Sequence, residues 1–134
     1  MVERTIVSAF HRKENNLNNL GYSSNWEDLL LLLQKEPRVK IGLLSKNKKY
    51  LLRAFDIAAH YPLYSIHPNI DMLMQEGIER ITGIAHALPS RVKMIPYERR
   101  VAGWQARKKD DARIALIKKC CDGIITNHVE FFVP

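Results

Sequence analysis

Val101-Ala-Gly-Trp104-Gln-Ala-Arg107, a short charged segment, and then Asp122-Gly-Ile-Ile-Thr-Asn127 read as strand, helix, strand. The first strand is apolar and carries one Trp at its tip. The helix opens at Asp110-Asp111, where carboxylates suit the positive end of the helix dipole, and stops at Gly123. The second strand, Ile124-Ile125, ends in polar residues. Strand, helix and strand in this order are the repeating unit of a parallel sheet with crossover helices. In such folds the polar residues at the carboxyl ends of strands line the functional site. That rule gathers Trp104, Gln105, Thr126 and Asn127 on one rim.

The same alternation runs through the rest of the chain. Thr5-Ile-Val-Ser-Ala-Phe10 is β-rich and bounded by polar residues, so it predicts a strand. His11 to Gly21 is polar and begins as a loop. Ser24 and Glu27 form a capping box before a helix with Trp26, Leu29, Leu30 and Leu33 on one face. Val39 to Leu44 predicts the next strand, and Leu51, Leu52, Phe55, Ala58 and Ala59 a second helix ending at Tyr61-Pro62. Leu63 to Ile66 predicts a strand that ends in His67-Pro68-Asn69. Ile70, Leu73, Met74, Gly77, Ile78, Ile81, Ile84, Ala85 and Leu88 recur at helical spacing and predict one long helix. Pro89 to Arg99 reads as an irregular basic connection. Residues 1–134 therefore form a single α/β domain with a parallel sheet.

Composition bounds the chemistry. The chain has 134 residues, a formal charge of +7 and only two cysteines, the adjacent Cys120 and Cys121. The positive charge favours anionic partners such as phosphate esters, nucleic acid or acidic membrane surfaces, although on composition alone a solvated basic surface is the better explanation. Adjacent cysteines cannot staple distant segments, and no Cys/His zinc spacing exists. They read as small residues packing a helix end. No apolar run approaches the roughly 20 residues of a membrane span, and Met1-Val-Glu-Arg-Thr-Ile lacks a signal-peptide core. The expectation is a cytoplasmic protein without a membrane span. The basic clusters at Lys46, Lys48 and Lys49, at Arg99-Arg100, at Arg107 to Lys109 and at Lys118-Lys119 do not form one stripe. A nucleic-acid ligand, which wants a contiguous basic face with stacking aromatics, is disfavoured.

The closing motif resembles the end of the glycerophosphodiester phosphodiesterase family, which finishes with a Trp-Thr-Val-Asn strand, a helix, and Asp-Gly-Ile-Ile-Thr-Asp. Trp104 and the run from Asp122 to Thr126 match. Asn127 stands for the usual Asp, and Gln105-Ala106-Arg107 for Thr-Val-Asn. Val7-Ser-Ala-Phe10 and Ile41-Gly-Leu-Leu44 resemble two upstream family strands in the same order, and Ser65-Ile-His67-Pro68 is similar to a His-Pro or Asn-Pro element that follows them. The resemblance spans most of the chain but only about the second half of an eight-stranded barrel that usually needs about 250 residues.

What the resemblance implies is a metal-dependent hydrolysis, part of lipid metabolism, that converts a glycerophosphodiester to glycerol 3-phosphate and an alcohol. A divalent cation, Ca or Mg, is implied, held by carboxylates of a Glu-x-Asp strand. The general acid and base are histidines, the first in a His-Arg-Gly motif. Neither His-Arg-Gly nor Glu-x-Asp is present. His11-Arg-Lys-Glu14-Asn15 contains fragments of the opening motif, but Lys13 replaces its Gly, and it reads as a polar loop. No catalytic residue and no metal ligand is assigned. Phe10, His67 and Trp104 are the candidate substrate-side lining. Glu76 and Glu79 read as solvated carboxylates on one helix face, and His128 as a surface residue within reach of the rim.

Four or five parallel strands cannot close on themselves. The expectation is a half-barrel that pairs with a second copy, pairs with a separate N-terminal half, or represents a truncated frame, and that is inactive alone toward its phosphodiester. The rival reading is a non-enzymatic basic module that binds an anionic partner or completes another subunit.

Overall fold

The computed structural model describes residues 4–8, 35, 39–99 and 103–133. Phe10, the polar loop from His11, the capping box and its helix, and the first residues of the expected Trp strand lie outside the described residues. Four strands, β1 (Arg4–Ser8), β2 (Val39–Ser45), β3 (Ser65–Pro68) and β4 (Lys93–Met94), form a sheet in chain order, and every pairing is parallel. A further parallel bridge joins Tyr97 to Ile125 beyond β4. The α/β class with a parallel sheet is therefore realised. Among the described residues no helix is long and apolar enough to cross a membrane.

Alternation along the strands separates two faces. Ile41, Leu43 and Ser45, Ile66 and Pro68, and Met94 and Pro96 share one face and are at most 2 % exposed. Helix α1 (Lys48–His60) packs against β2 and β3 on that side. Its buried residues Leu51, Ala54, Phe55 and Ala58 follow the i, i+3, i+4, i+7 spacing of one helical stripe. Asn47 caps it, Oδ1 accepting the Tyr50 N–H at 3.0 Å. It ends at Tyr61, before Pro62, because a residue preceding proline avoids the α region.

The predicted long helix is two helices, α2 (Ile70–Glu76) and α3 (Ile78–Ala87). They part at Gly77, whose φ of 95° belongs to glycine and breaks the helical path. The apolar period carries across the break because both pieces bury the same side, with Ile70, Leu73, Ile78, Ile81 and Ala85 in one core. Glu76 and Glu79 are consequently on different helices. Glu76 pairs with Lys48 and Arg80, and Glu79 with Lys119.

Two corrections concern the end of the chain. The segment read as an irregular basic connection carries β4, and the segment read as the Trp strand is irregular from Gly103 to Lys108. Val92, Met94 and Pro96 are the buried residues of the segment that carries it. The Ile124-Ile125 strand is reduced to one parallel bridge, strengthened by Asp122. The Asp122 N–H donates to the Met94 carbonyl at 2.9 Å, and its carboxylate accepts the Met94 N–H at 2.8 Å. His86 and Arg91 also contact that carboxylate, at 2.7 and 3.6 Å. Helix α4 (Ala112–Cys120) opens on Asp111 as expected, its Oδ1 accepting the Arg113 N–H at 2.9 Å, and carries Lys118 and Lys119 in its last turn. Cys120 and Cys121 are free thiols packed against the core, and burial pushes the Cys121 thiol up to about 12.

Candidate functional site at the carboxyl ends of the strands

Parallel pairing brings four loops together beyond the strand ends: Lys46 after β2, Asn69 after β3, Tyr97 to Arg99 after β4, and Thr126 to His128 after the Ile125 bridge. Asn69 ties three of them. Its Oδ1 caps α2 by accepting the Met72 N–H at 2.8 Å, its Nδ2 donates to the Lys46 carbonyl, and its backbone bridges Tyr97.

The concave part of this mouth has a volume of about 180 Å³. Glu98, Arg99, Gln105, Ile125, Thr126, Asn127 and His128 line it. Its centre is Glu98, whose side chain is only 5 % exposed. A buried carboxylate needs hydrogen bonds to offset its lost hydration. Glu98 Oε2 accepts the Ala106 N–H at 2.7 Å. Oε1 accepts the Thr126 hydroxyl and lies 3.4 Å from His128 Nδ1. The Thr126 hydroxyl oxygen in turn accepts the His128 N–H at 2.8 Å. A carboxylate only accepts, so the His128 proton sits on Nδ1 and Nε2 is the ring nitrogen left available. Beside it, burial raises the Tyr97 phenol above its ordinary value, while Arg99 and Asn69 pull the other way.

Of the residues singled out from the sequence, Gln105, Thr126 and Asn127 line this mouth, and His128 joins them. Trp104 does not. Its N–H donates to both Asp71 oxygens, at 2.9 and 3.1 Å, and its indole N–H to Asp111 at 3.3 Å, with the Arg113 guanidinium 5.8 Å from the ring centroid. Gly103 permits that approach, since a Cβ there would fall 2.6 Å from Asp71 Oδ2. His67 lies within β3, 4 % exposed, with neither nitrogen in the pocket. Its Nδ1 donates to the Ile95 carbonyl at 3.0 Å, and its Nε2 accepts from the Ser65 hydroxyl at 2.8 Å. Burial holds its pKa below the usual histidine value, opposed by the Ile95 bond.

The ladder explains the bond to Ile95. Lys93, Ile95 and Tyr97 donate to the carbonyls of Tyr64, Ile66 and Pro68, and Ile70 donates to Tyr97. The return bond to the Ile95 carbonyl falls to Pro68, which has no N–H. The imidazole supplies the missing donor.

Glu98 was not singled out from the sequence. The signal available was its position after an alternating Val92-Lys-Met-Ile-Pro-Tyr97 run, which would have placed it at a strand end. Among the described residues no three His, Cys, Asp or Glu side chains group so as to hold a metal ion. The described residues do not fit the divalent cation that the resemblance implies, whose ligands belong to motifs absent from this sequence.

Fold and mouth together define a parallel α/β protein with a small polar pocket at the carboxyl ends of its strands. Comparisons with protein-family models, curated proteins and solved structures find no match to this chain.

Proposed function

We propose that this chain is the C-terminal half-barrel unit of a glycerophosphodiester phosphodiesterase-like enzyme. The observation that supports this most is topological. All strands are parallel and lie in chain order, with helices α1 and α3 packed against the sheet and polar groups collected at the strand ends. Chain-order parallel pairing is how a (β/α) barrel is laid down, one unit after another.

The reaction proposed for the assembled enzyme is metal-dependent cleavage of a glycerophosphodiester to glycerol 3-phosphate and an alcohol. The cation and the acid–base histidines would come from strands outside this sequence, on a second copy, a separate N-terminal half, or another part of a longer chain. In this reading His67 supports the floor of the mouth through its bonds to Ser65 and Ile95. The protein works as a cytoplasmic component of lipid metabolism.

The test is complementation. Glycerophosphocholine is offered to this chain alone and to this chain mixed with a polypeptide carrying His-Arg-Gly and Glu-x-Asp on barrel strands. The expected result is turnover only in the mixture, abolished by a chelator. Chelator-sensitive turnover by the chain alone, lost in His67→Ala, would overturn the claim that it lacks the catalytic half. Sedimentation as a well-folded monomer at micromolar concentration, with no complex in the mixture, would remove the half-barrel reading. Salt-steep binding to nucleic acid in that case would favour the basic-module alternative.

A further inference from the structure

The mouth has an electrostatic asymmetry. Among the described residues its one lining carboxylate, Glu98, is engaged by Ala106, Thr126 and His128 and is turned away from solvent. Of the groups left to meet a ligand, Arg99 and the Asn127 amide donate, and His128 Nε2 accepts. Arg99 is exposed, and among the described residues its guanidinium has no ion-pair partner. His128 presents Nε2, and Asn127 presents an exposed amide.

An unpaired guanidinium and an amide beside an imidazole acceptor are complementary to a monoprotonated phosphate, whose oxygens accept several hydrogen bonds while its P–OH donates one. The size agrees. Pockets for drug-sized ligands run from about 300 Å³ upward, and this one, at about 180 Å³, suits a smaller guest.

We propose that the mouth is a binding site for a small phosphate-bearing anion, inorganic phosphate or a short phosphomonoester. Arg99 and His128 Nε2 are its two arms: Arg99 donates to its oxygens, His128 Nε2 accepts the P–OH of its monoprotonated form, and Glu98 is the positioning residue that fixes the His128 tautomer. The proposal rests on the phosphodiesterase-like reading only for the choice of phosphate over other oxyanions. The geometry of the arms is independent of that reading. It assigns the phosphate site to this chain, and not to the half that would carry the metal.

The experiment is a nuclear magnetic resonance titration of the intact chain with inorganic phosphate, then with glycerol 3-phosphate, with acetate as control. Saturable shifts are expected at Arg99, Gln105, Asn127 and His128 with both phosphates and not with acetate. Arg99→Ala should weaken binding by roughly tenfold or more, the loss expected for one charge-assisted hydrogen bond. His128→Asn keeps a donor near Glu98 but removes the Nε2 arm, and should weaken binding several-fold. Glu98→Gln is read through the His128 ring nitrogens. The Nδ1–H tautomer should dominate in the wild type and lose that dominance in the variant, which a merely structural Glu98 would not cause.

No saturation by either phosphate would overturn the proposal. So would shifts centred on Lys46 to Lys49, or unchanged affinity in both Arg99→Ala and His128→Asn. Failure of the half-barrel reading looks different, because complementation then fails while phosphate still saturates the mouth.

Discussion

His67 lies within the sheet and His128 beyond its last bridge, and their neighbours give them different work. His67 sits one residue before Pro68, where the ladder lacks a donor. One ring nitrogen fills that gap and the other takes the Ser65 hydroxyl, so nothing remains for a ligand. His128 lies past the last bridge, where one nitrogen meets Glu98 and the other faces the pocket. A histidine at a strand end is therefore not a site residue by position alone. What decides is whether the backbone has already claimed both nitrogens.

The contrast can be broken by substitutions that should act on one region only. The largest effect is expected in the interior. Ile66→Ala opens a cavity among residues that are fully buried and should cost about 3 to 4 kcal/mol, read as a lowered urea midpoint. An unchanged midpoint would mean that the sheet face is not packed as described.

Gly42→Ala tests the floor beneath His67. A Cβ at Gly42 would lie 2.5 Å from both His67 Nε2 and Ser65 Oγ. Overpacking there should cost about 2 kcal/mol and break the Ser65–His67 bond. Phosphate affinity at the mouth should change little.

The third test is acidity. The folded-state pKa of His67 is depressed by burial below its unfolded value, so the unfolded chain binds more protons between the two. Stability from this residue is present above the ordinary value of 6.5. It falls as the pH drops below that value and levels off below the depressed folded value. His67→Asn should flatten that slope relative to the parent in urea titrations repeated across the range. An identical slope would show that His67 is not the neutral group described.

The smallest effect belongs to the mouth. Asn127 is exposed, and Asn127→Ala should leave the urea midpoint within about 0.5 kcal/mol of the parent. A large loss there would erase the distinction between interior and mouth.

Much of the sheet was legible because period and punctuation agreed. Val39 to Leu44 is a compact apolar run, and the Leu51-to-Ala58 stripe closed by Tyr61-Pro62 leaves little room for anything but α1. Asp110-Asp111 similarly announces α4. The failures have physical causes. β4 hides because Lys93 lies over the Tyr64 ring, 5.0 Å from its centroid, and Pro96 looks like a strand breaker. Pro96 is tolerated because it still offers its carbonyl to the Ile125 N–H. Trp104 reads as a strand residue because it is apolar among small residues, yet Asp71 claims its backbone N–H. Gly77 fits the apolar period of a long helix, and only its positive φ reveals the break. Glu98 carried no signal until β4 was placed.

The account depends on the loops after β3, β4 and Ile125 meeting at one end of a parallel sheet. Nitrogen-edited nuclear Overhauser spectra of labelled protein test that directly. The account predicts cross-peaks in same-direction register between Ser65–Pro68 and the segment from Lys93, and between Tyr97 and Ile125. Opposite-direction cross-peaks, or the Trp104 segment pairing with β3 in place of β4, would contradict it.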